Sequence, residues 1–198
     1  MPMIDNVCQQ AGIKPKELDG IAFGKGPGSF TGLRIAISVA QGLSLATGAR
    51  LYGMSSMQAL AWQAMKQEGA EHVLAIMNAH MGEVFYGAYS KLADAMTECV
   101  IPDALCRPEQ VDISTLNPDL KWFGAGDGFQ FEAELPDTVM QLSSINTRTA
   151  PLAESMMDLA LQAWENDEFT AAEYQQPVYL RDTVAWKKLA EQPSLLKR

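Results

Sequence analysis

This 198-residue sequence predicts an α/β fold, and three features carry that expectation. A short apolar stretch, Gly20-Ile-Ala-Phe-Gly24, passes through a glycine-rich turn into a helix-patterned segment from Gly32 to Ala46. Two apolar runs, Val73 to Met77 and Glu83 to Tyr89, flank the turn Asn78-Ala-His-Met-Gly82 and read as a β-hairpin. A later stripe of Leu152, Met156, Leu159, Ala160, Ala163 and Trp164 has helical spacing. Strand-length and helix-length segments therefore alternate, which suits a layered α/β architecture. With 47% hydrophobic residues the chain can build the core of one domain or of two small lobes.

Taken in order, residues 2–12 read as a helix with Met3, Val7 and Ala11 on one stripe, Ile4 beside it and Gly12 near its end. Such a Met-bearing stripe suits adaptable association, or else packing on a sheet. Lys14 to Asp19 is a polar connection into the strand at 20–24. In the turn after that strand, Gly24-Lys-Gly-Pro-Gly-Ser-Phe-Thr-Gly-Leu-Arg34, backbone N–H groups could face an anion. The familiar phosphate loops do not fit. Gly32 is followed by Leu33 and Arg34 rather than Lys and Ser/Thr, and Arg50 to Met54 offers no acidic residue for a ribose. A tight turn that lets helix and sheet approach closely explains the same glycines.

The helix after that turn is capped by Ser29 or Thr31 and closed by Gly48. Its only long polar side chains are Arg34 and Gln41, and its apolar residues spread around the whole cylinder, so every side needs cover. Small residues line one flank: Gly32, Ala36 and Ala40 on one row, Ser38, Gly42 and Ala46 on another. A mid-helix glycine such as Gly42 costs about 1 kcal/mol relative to alanine, which points to the close approach of a second helix. That helix belongs either to this chain or to another subunit. Arg34, placed in the first turn, opposes the helix macrodipole and calls for a carboxylate from within the chain or across an interface.

Further along, Ser55 to Lys66 reads as a serine-capped helix, and Gln67 to His72 as a lobe junction. Thr97 to Ile101 is a strand, 102–108 a loop, and Glu109 to Leu116 a short helix. Lys121 to Gly124 is a strand that runs into Gly126-Asp127-Gly128. Glu132 to Pro136 is an acidic, exposed connection, and Thr149 is expected to cap the last helix with Pro151 in its first turn. Residues 166–176 form a polar loop, Tyr179 and Arg181 lock the tail against the body, and residues from Lys187 onward fray.

A formal charge of −9 and a pI near 4.7 argue against an independent nucleic-acid binder, which needs a basic face, and favour protein partners. No apolar run reaches membrane-spanning length. Cys8, Cys99 and Cys106 lack metal-ligand spacing, and with only His72 and His80 available neither a metalloprotease nor a Ser/His/Asp pattern is supported.

GPGSFTGLRIAISVAQGLSLATG, MNAHMGEVFYGAY at 77–89 and PVYLRDTVAWKKL at 177–189 together resemble the TsaB (YeaZ) family, bacterial proteins of the tRNA threonylcarbamoyladenosine pathway. The resemblance implies a two-lobed actin-like ATPase-type (ribonuclease H-like) fold, with lobes at 1–70 and 71–198. It also implies a cytoplasmic, non-catalytic scaffold without cofactor or metal, which pairs with the catalytic subunit TsaD and the ATPase TsaE. Such a protein forms a homodimer when alone and meets tRNA only indirectly. Similar family members begin with a strand-rich segment ahead of the residues matched here, so the N-terminal lobe is expected to be incomplete and the strand at 20–24 to present an unpaired edge.

Family members carry Asp and Arg where this chain has Asn78 and His80, and Asn cannot position a metal for phosphoryl transfer. Glu83 remains able to polarise a water, although a solvated carboxylate explains it as well. The turn at 125–128 resembles the adenosine-side turn of actin-like ATPases, where Asp127 would meet a ribose or simply tolerate a tight bend. No catalytic residue is expected; the partner surface is expected to comprise Met3, Val7, Arg34, Ser38, Gln41, Gly42 and Leu45. The alternative is an actin-like ATPase or small-molecule kinase holding a nucleotide with Gly26, Gly28, Gly126 and Gly128.

Overall fold

The computed structural model describes residues 2–92 and 96–181. Helix α1 (Pro2–Ala11) leads to strand β1 (Gly20–Gly26), helix α2 (Phe30–Thr47), strand β2 (Arg50–Ser55) and helix α3 (Ser56–Glu68). Strands β3 (His72–His80), β4 (Glu83–Lys91) and β5 (Thr97–Cys106) form a meander. Then come β6 (Trp122–Ala125), the short helix α4 (Asp137–Met140), β7 (Ser144–Asn146) and helix α5 (Ala153–Glu165).

Two sheets result. β1 and β2 pair in parallel, with Gly20 opposite Arg50 and Phe23 opposite Gly53, which α2 permits as the crossover. The second sheet has the order β5-β4-β3-β6-β7. Its β3-β4 and β4-β5 pairs are antiparallel, and its β3-β6 and β6-β7 pairs are parallel.

Sequence chemistry accounts for the helix bounds. The Ser29 hydroxyl accepts a hydrogen bond from the Gly32 amide at 3.3 Å, and Gly48 closes α2 at φ 83°. Ser55 caps α3 by accepting from the amides of Met57 and Gln58, and Gly69 ends it at φ 68°.

α3 is the packing hub. Met57, Leu60, Ala61 and Ala64 are fully buried in a core that joins Met54 of β2, Val73 and Ala75 of β3, Phe85 of β4, Phe123 of β6 and Leu159 of α5. Alternation along β3 sends Leu74 and Ile76 to the other face of the sheet, against Val84, Trp122, Phe129 and Val139. Each such side chain contributes about 1.5–3 kcal/mol on burial. α5 is pinned to α3 where Asp158 accepts from Trp62 Nε1 at 3.1 Å and from Lys66 Nζ at 2.7 Å.

Four expectations need correction. β5 runs through Pro102 to Cys106 where a loop was expected; β5 is an edge strand, so the missing proline N–H costs no ladder bond, and the register with β4 shifts beside Pro102. Residues 109–116 hold no α-helix, only a 3-10 turn at Pro108–Gln110. β3 continues through Asn78 to His80, so the hairpin turn is shorter than expected. Thr149 does not cap α5: Leu152 occupies that position without a side-chain bond, and the buried Thr149 hydroxyl has no hydrogen-bond partner. The expected fraying from Lys187 onward lies outside the described residues.

Candidate functional site

Two places collect the residues singled out by the sequence: a cleft between the turns after β1 and β6, and the outward flank of α2. The cleft encloses about 530 Å³ and is bordered by Gly28, Ser29, Asn78, His80, Asp127 and Arg181, among others.

Several of its polar groups are already engaged within the chain, although the buried Thr149 hydroxyl, which also borders it, has no partner among the described residues. Asn78 Oδ1 accepts from the His80 amide at 2.7 Å, shaping a hairpin tip in which His80 and Met81 take φ values of 60° and 58°. Asp127 Oδ1 accepts from the Asn78 amide at 2.9 Å, so this carboxylate fastens the two strand ends together. Arg181 Nε donates to the Glu83 carboxylate at 3.0 Å, and Arg181 Nη2 donates to the Ala79 carbonyl at 3.1 Å. Glu83 is therefore the counter-ion of the tail.

Three glycines of the turns beside the cleft serve close packing. A Cβ at Gly126 would lie 2.3 Å from the Ile76 carbonyl oxygen, and one at Gly128 would lie 2.5 Å from Ile76 Cγ2. Gly26 lies under the tail, where a Cβ would come within 2.7 Å of the Val178 carbonyl oxygen. The Val178 amide in turn donates to the Lys25 carbonyl at 2.8 Å. Gly28 has only ordinary contacts, with Leu33.

The flank of α2 is different. Ser38 is exposed, Gly42 has nothing within 4 Å of its would-be Cβ, and Leu45 is 90% exposed. Ile35, also 60% exposed, extends the same flank. Leu33, Ile37, Ala40 and Ser44 face inward instead. On α1, Met3 and Val7 are exposed and only Cys8 is buried.

Gln41 does not share the open flank. Its amide donates to the carbonyls of Ala172 and Gln175 at 3.2 and 3.3 Å, holding the segment after α5 against the helix. Because α2 begins at Phe30, Arg34 sits in the second turn rather than the first, where the macrodipole has faded. Its contacts inside the chain are aromatic: Arg34 Nε donates to the Tyr179 hydroxyl at 3.0 Å, and the guanidinium lies 3.8 Å from the Phe30 ring centre.

One polar cluster escaped sequence reading. Asp103 of β5 accepts from the Tyr89 hydroxyl of β4 and from the Ser55 hydroxyl at the end of β2, tying the two sheets together. Burial pushes the Asp103 carboxyl above its ordinary value, with the two hydroxyl bonds and the Lys25 charge opposing. Burial, then the neighbouring Asp103, pushes the Tyr89 phenol up as well. Cys106 is pushed up to about 11 by burial and by the charges of Glu109 and Glu83, so its thiol stays protonated near neutrality.

Among the described residues no group of three or more His, Cys, Asp or Glu side chains is placed to hold a metal ion. Nor is any described helix long and apolar enough to cross a membrane.

Comparison with known proteins agrees with this geometry. The family model described as TsaD, tRNA N6-adenosine threonylcarbamoyltransferase, matches residues 1–192. The tRNA threonylcarbamoyladenosine biosynthesis protein TsaB of Escherichia coli K12 is 33% identical over 96% of this chain and 82% of its own length. The Haemophilus influenzae protein of the same name is 32% identical over 96% of this chain and 81% of its own. Among solved structures, YeaZ from Pseudomonas aeruginosa superposes with a TM-score of 0.84 at 36% identity, covering 90% of this chain and 81% of that one. A second Pseudomonas aeruginosa structure, of a protein with similarity to peptidase YEAZ, gives 0.84 at 37% identity over 91% and 82%. With the five-stranded order and the two parallel strand pairs, these likenesses define an actin-like, ribonuclease H-like α/β fold, and the chain belongs to the TsaB (YeaZ) family.

Proposed function

We propose that this protein is a non-catalytic scaffold or activator subunit in tRNA threonylcarbamoyladenosine biosynthesis, working in the cytoplasm. In this reading it pairs with a TsaD-like transferase and a TsaE-like ATPase, forms a homodimer when alone, and meets tRNA only through the assembly. Its two lobes divide near residues 70 and 71, and the transferase supplies the chemistry. The partner surface is built on Met3, Val7, Arg34, Ser38, Gly42 and Leu45, with Gln41 acting from behind by anchoring the segment at 172–175.

The observation that carries the reading is the bare flank of α2. An 18-residue helix of high apolar content leaves Leu45 almost wholly in solvent and Gly42 open to close approach. Contiguous exposed apolar surface on a soluble protein marks an interaction site. The engagement of Asn78, Asp127 and Glu83 within the chain supports a non-catalytic role.

Sedimentation of the protein alone, and then mixed with its TsaD-like subunit, tests the proposal. A complex that Gly42→Leu weakens at least tenfold, without loss of thermal stability, is the expected result. An unchanged assembly state would place the interface elsewhere. Calorimetry with ATP and magnesium addresses the rival ATPase reading: micromolar binding with hydrolysis by the isolated chain would overturn the scaffold.

A further inference from the structure

Arg34 is the only charged residue of α2. Its guanidinium carbon lies 3.8 Å from the Phe30 ring centre, one turn earlier, and 5.8 Å from the Tyr179 ring centre. The two rings are 5.3 Å apart and tilted by 39°, so the cation is held by an aromatic pair drawn from the helix start and the chain's tail. Its Nε donates to the Tyr179 hydroxyl at 3.0 Å. Among the described residues no carboxylate or carbonyl accepts from the two terminal nitrogens, and Arg34 is exposed.

This arrangement is unusual for a cation in a chain of formal charge −9. An arginine normally loses much rotamer freedom when it binds; here the Phe30 stack and the Tyr179 bond fix the side chain beforehand. The free end of the fork keeps two parallel N–H groups, the geometry that matches a carboxylate.

Resting on the reading of the α2 flank as a partner surface, we propose that Arg34 is its specificity anchor and receives an acidic side chain of the heterologous partner subunit. Charge complementarity selects that occupant. A second copy brings no acid on α2, and its α1 brings only Asp5, which already has a partner of its own. Neighbouring Phe30 and Ile35, both exposed, supply the apolar surround that excludes water from such a pair. An exposed ion pair is worth little, but a preorganised arginine desolvated by an interface behaves as a hot spot.

The experiment titrates the full chain with its TsaD-like transferase subunit at low and at moderate salt. Arg34→Ala is expected to weaken binding by 10- to 100-fold and to flatten the salt dependence. Arg34→Lys should recover less than a third of that loss on a logarithmic scale, since an ammonium neither stacks nor forks. Tyr179→Phe, which keeps the ring and removes the hydroxyl, is expected to weaken binding three- to tenfold. Thermal unfolding of each variant should match that of the parent.

Binding by Arg34→Ala within twofold of the parent, with the same salt response, overturns this inference while leaving the partner surface standing. If Arg34→Ala loses self-association but not transferase binding, the acid comes from a second copy and the inference fails as stated. Failure of the parent chain to bind the transferase removes both the partner reading and this inference.

Discussion

Gly26, at the end of β1, and Gly126, just past β6, hold φ values of 120° and 112°. Each stands where one strand of a parallel pair hands the chain to its crossover, toward β2 in one case and β7 in the other. The two crossovers then diverge. After Gly26 the crossover is the full helix α2, capped by Ser29 and bare along Ser38, Gly42 and Leu45. After Gly126 the chain makes a 3-10 turn at Asp127–Phe131 and the four-residue α4, and it buries Phe129, Leu135 and Val139. One crossover completes its own core; the other presents surface that the described residues do not cover. The same strand-end bend therefore serves folding in one half and is free to serve association in the other.

Alanine at Gly126 should do the greatest damage. Its φ is one that side chains rarely adopt, and the added Cβ would meet the Ile76 carbonyl at 2.3 Å, inside strand β3. Strain and overpacking together predict a loss of about 3–5 kcal/mol in urea unfolding. A loss below about 1 kcal/mol would mean that the bend after β6 is not locked by β3, and the contrast with β1 would weaken.

How far this contrast could be read from sequence depends on the residue. The ends of α2 are readable because Ser29 and Gly48 carry local chemistry that does not depend on tertiary context. The hairpin of β3 and β4 is readable from two apolar runs on either side of a turn that ends at Gly82, although the turn itself is shorter than the sequence suggests. Pro102 misleads, since its effect depends on β5 lying at the sheet edge, a fact of topology. The Ser55–Tyr89–Asp103 cluster joins residues 34 and 48 positions apart from their partners, and no local pattern announces it. On the candidate surface, the openness at Gly42 follows from helical spacing, whereas the inward turn of Gln41 depends on a segment more than a hundred residues later.

The matching change at β1, Gly26→Ala, sharpens the comparison by costing less. The backbone strain is similar, but the overlapping atom is the Val178 carbonyl oxygen of the tail, which can shift away from the body. A loss of about 2 kcal/mol is expected, most of it conformational strain. Limited proteolysis should cut faster near residues 177–181 in this variant, and an unaltered cutting rate would count against the tail as the cover of that bend.

Asp103 ties the two halves together, and its signature is a pH slope. Burial raises its carboxyl above the ordinary 3.8, so the folded state holds the proton more tightly than the unfolded chain. Its contribution is full below the unfolded value and declines as pH rises through the raised folded value. Asp103→Asn should remove that decline, so the stability of the variant relative to the parent should climb as pH rises above the ordinary aspartate range. A curve parallel to that of the parent would show that Asp103 titrates as it does in the unfolded chain.

The smallest effect has the opposite sign. Gly42 has no neighbour within 4 Å of its would-be Cβ and lies inside a regular helix, so alanine there meets no clash and no strained φ. Helix propensity alone then predicts a gain of about 1 kcal/mol in the isolated chain. A residue that weakens its own helix while filling no need of its own fold is explained if another surface must approach it. Gly42→Ala should therefore raise the melting temperature of the free protein and lower the affinity for the transferase subunit, separating the two quantities in one variant. If stability and affinity rose together, the glycine would have no role in close approach, and α2 would differ from the crossover after β6 in length alone.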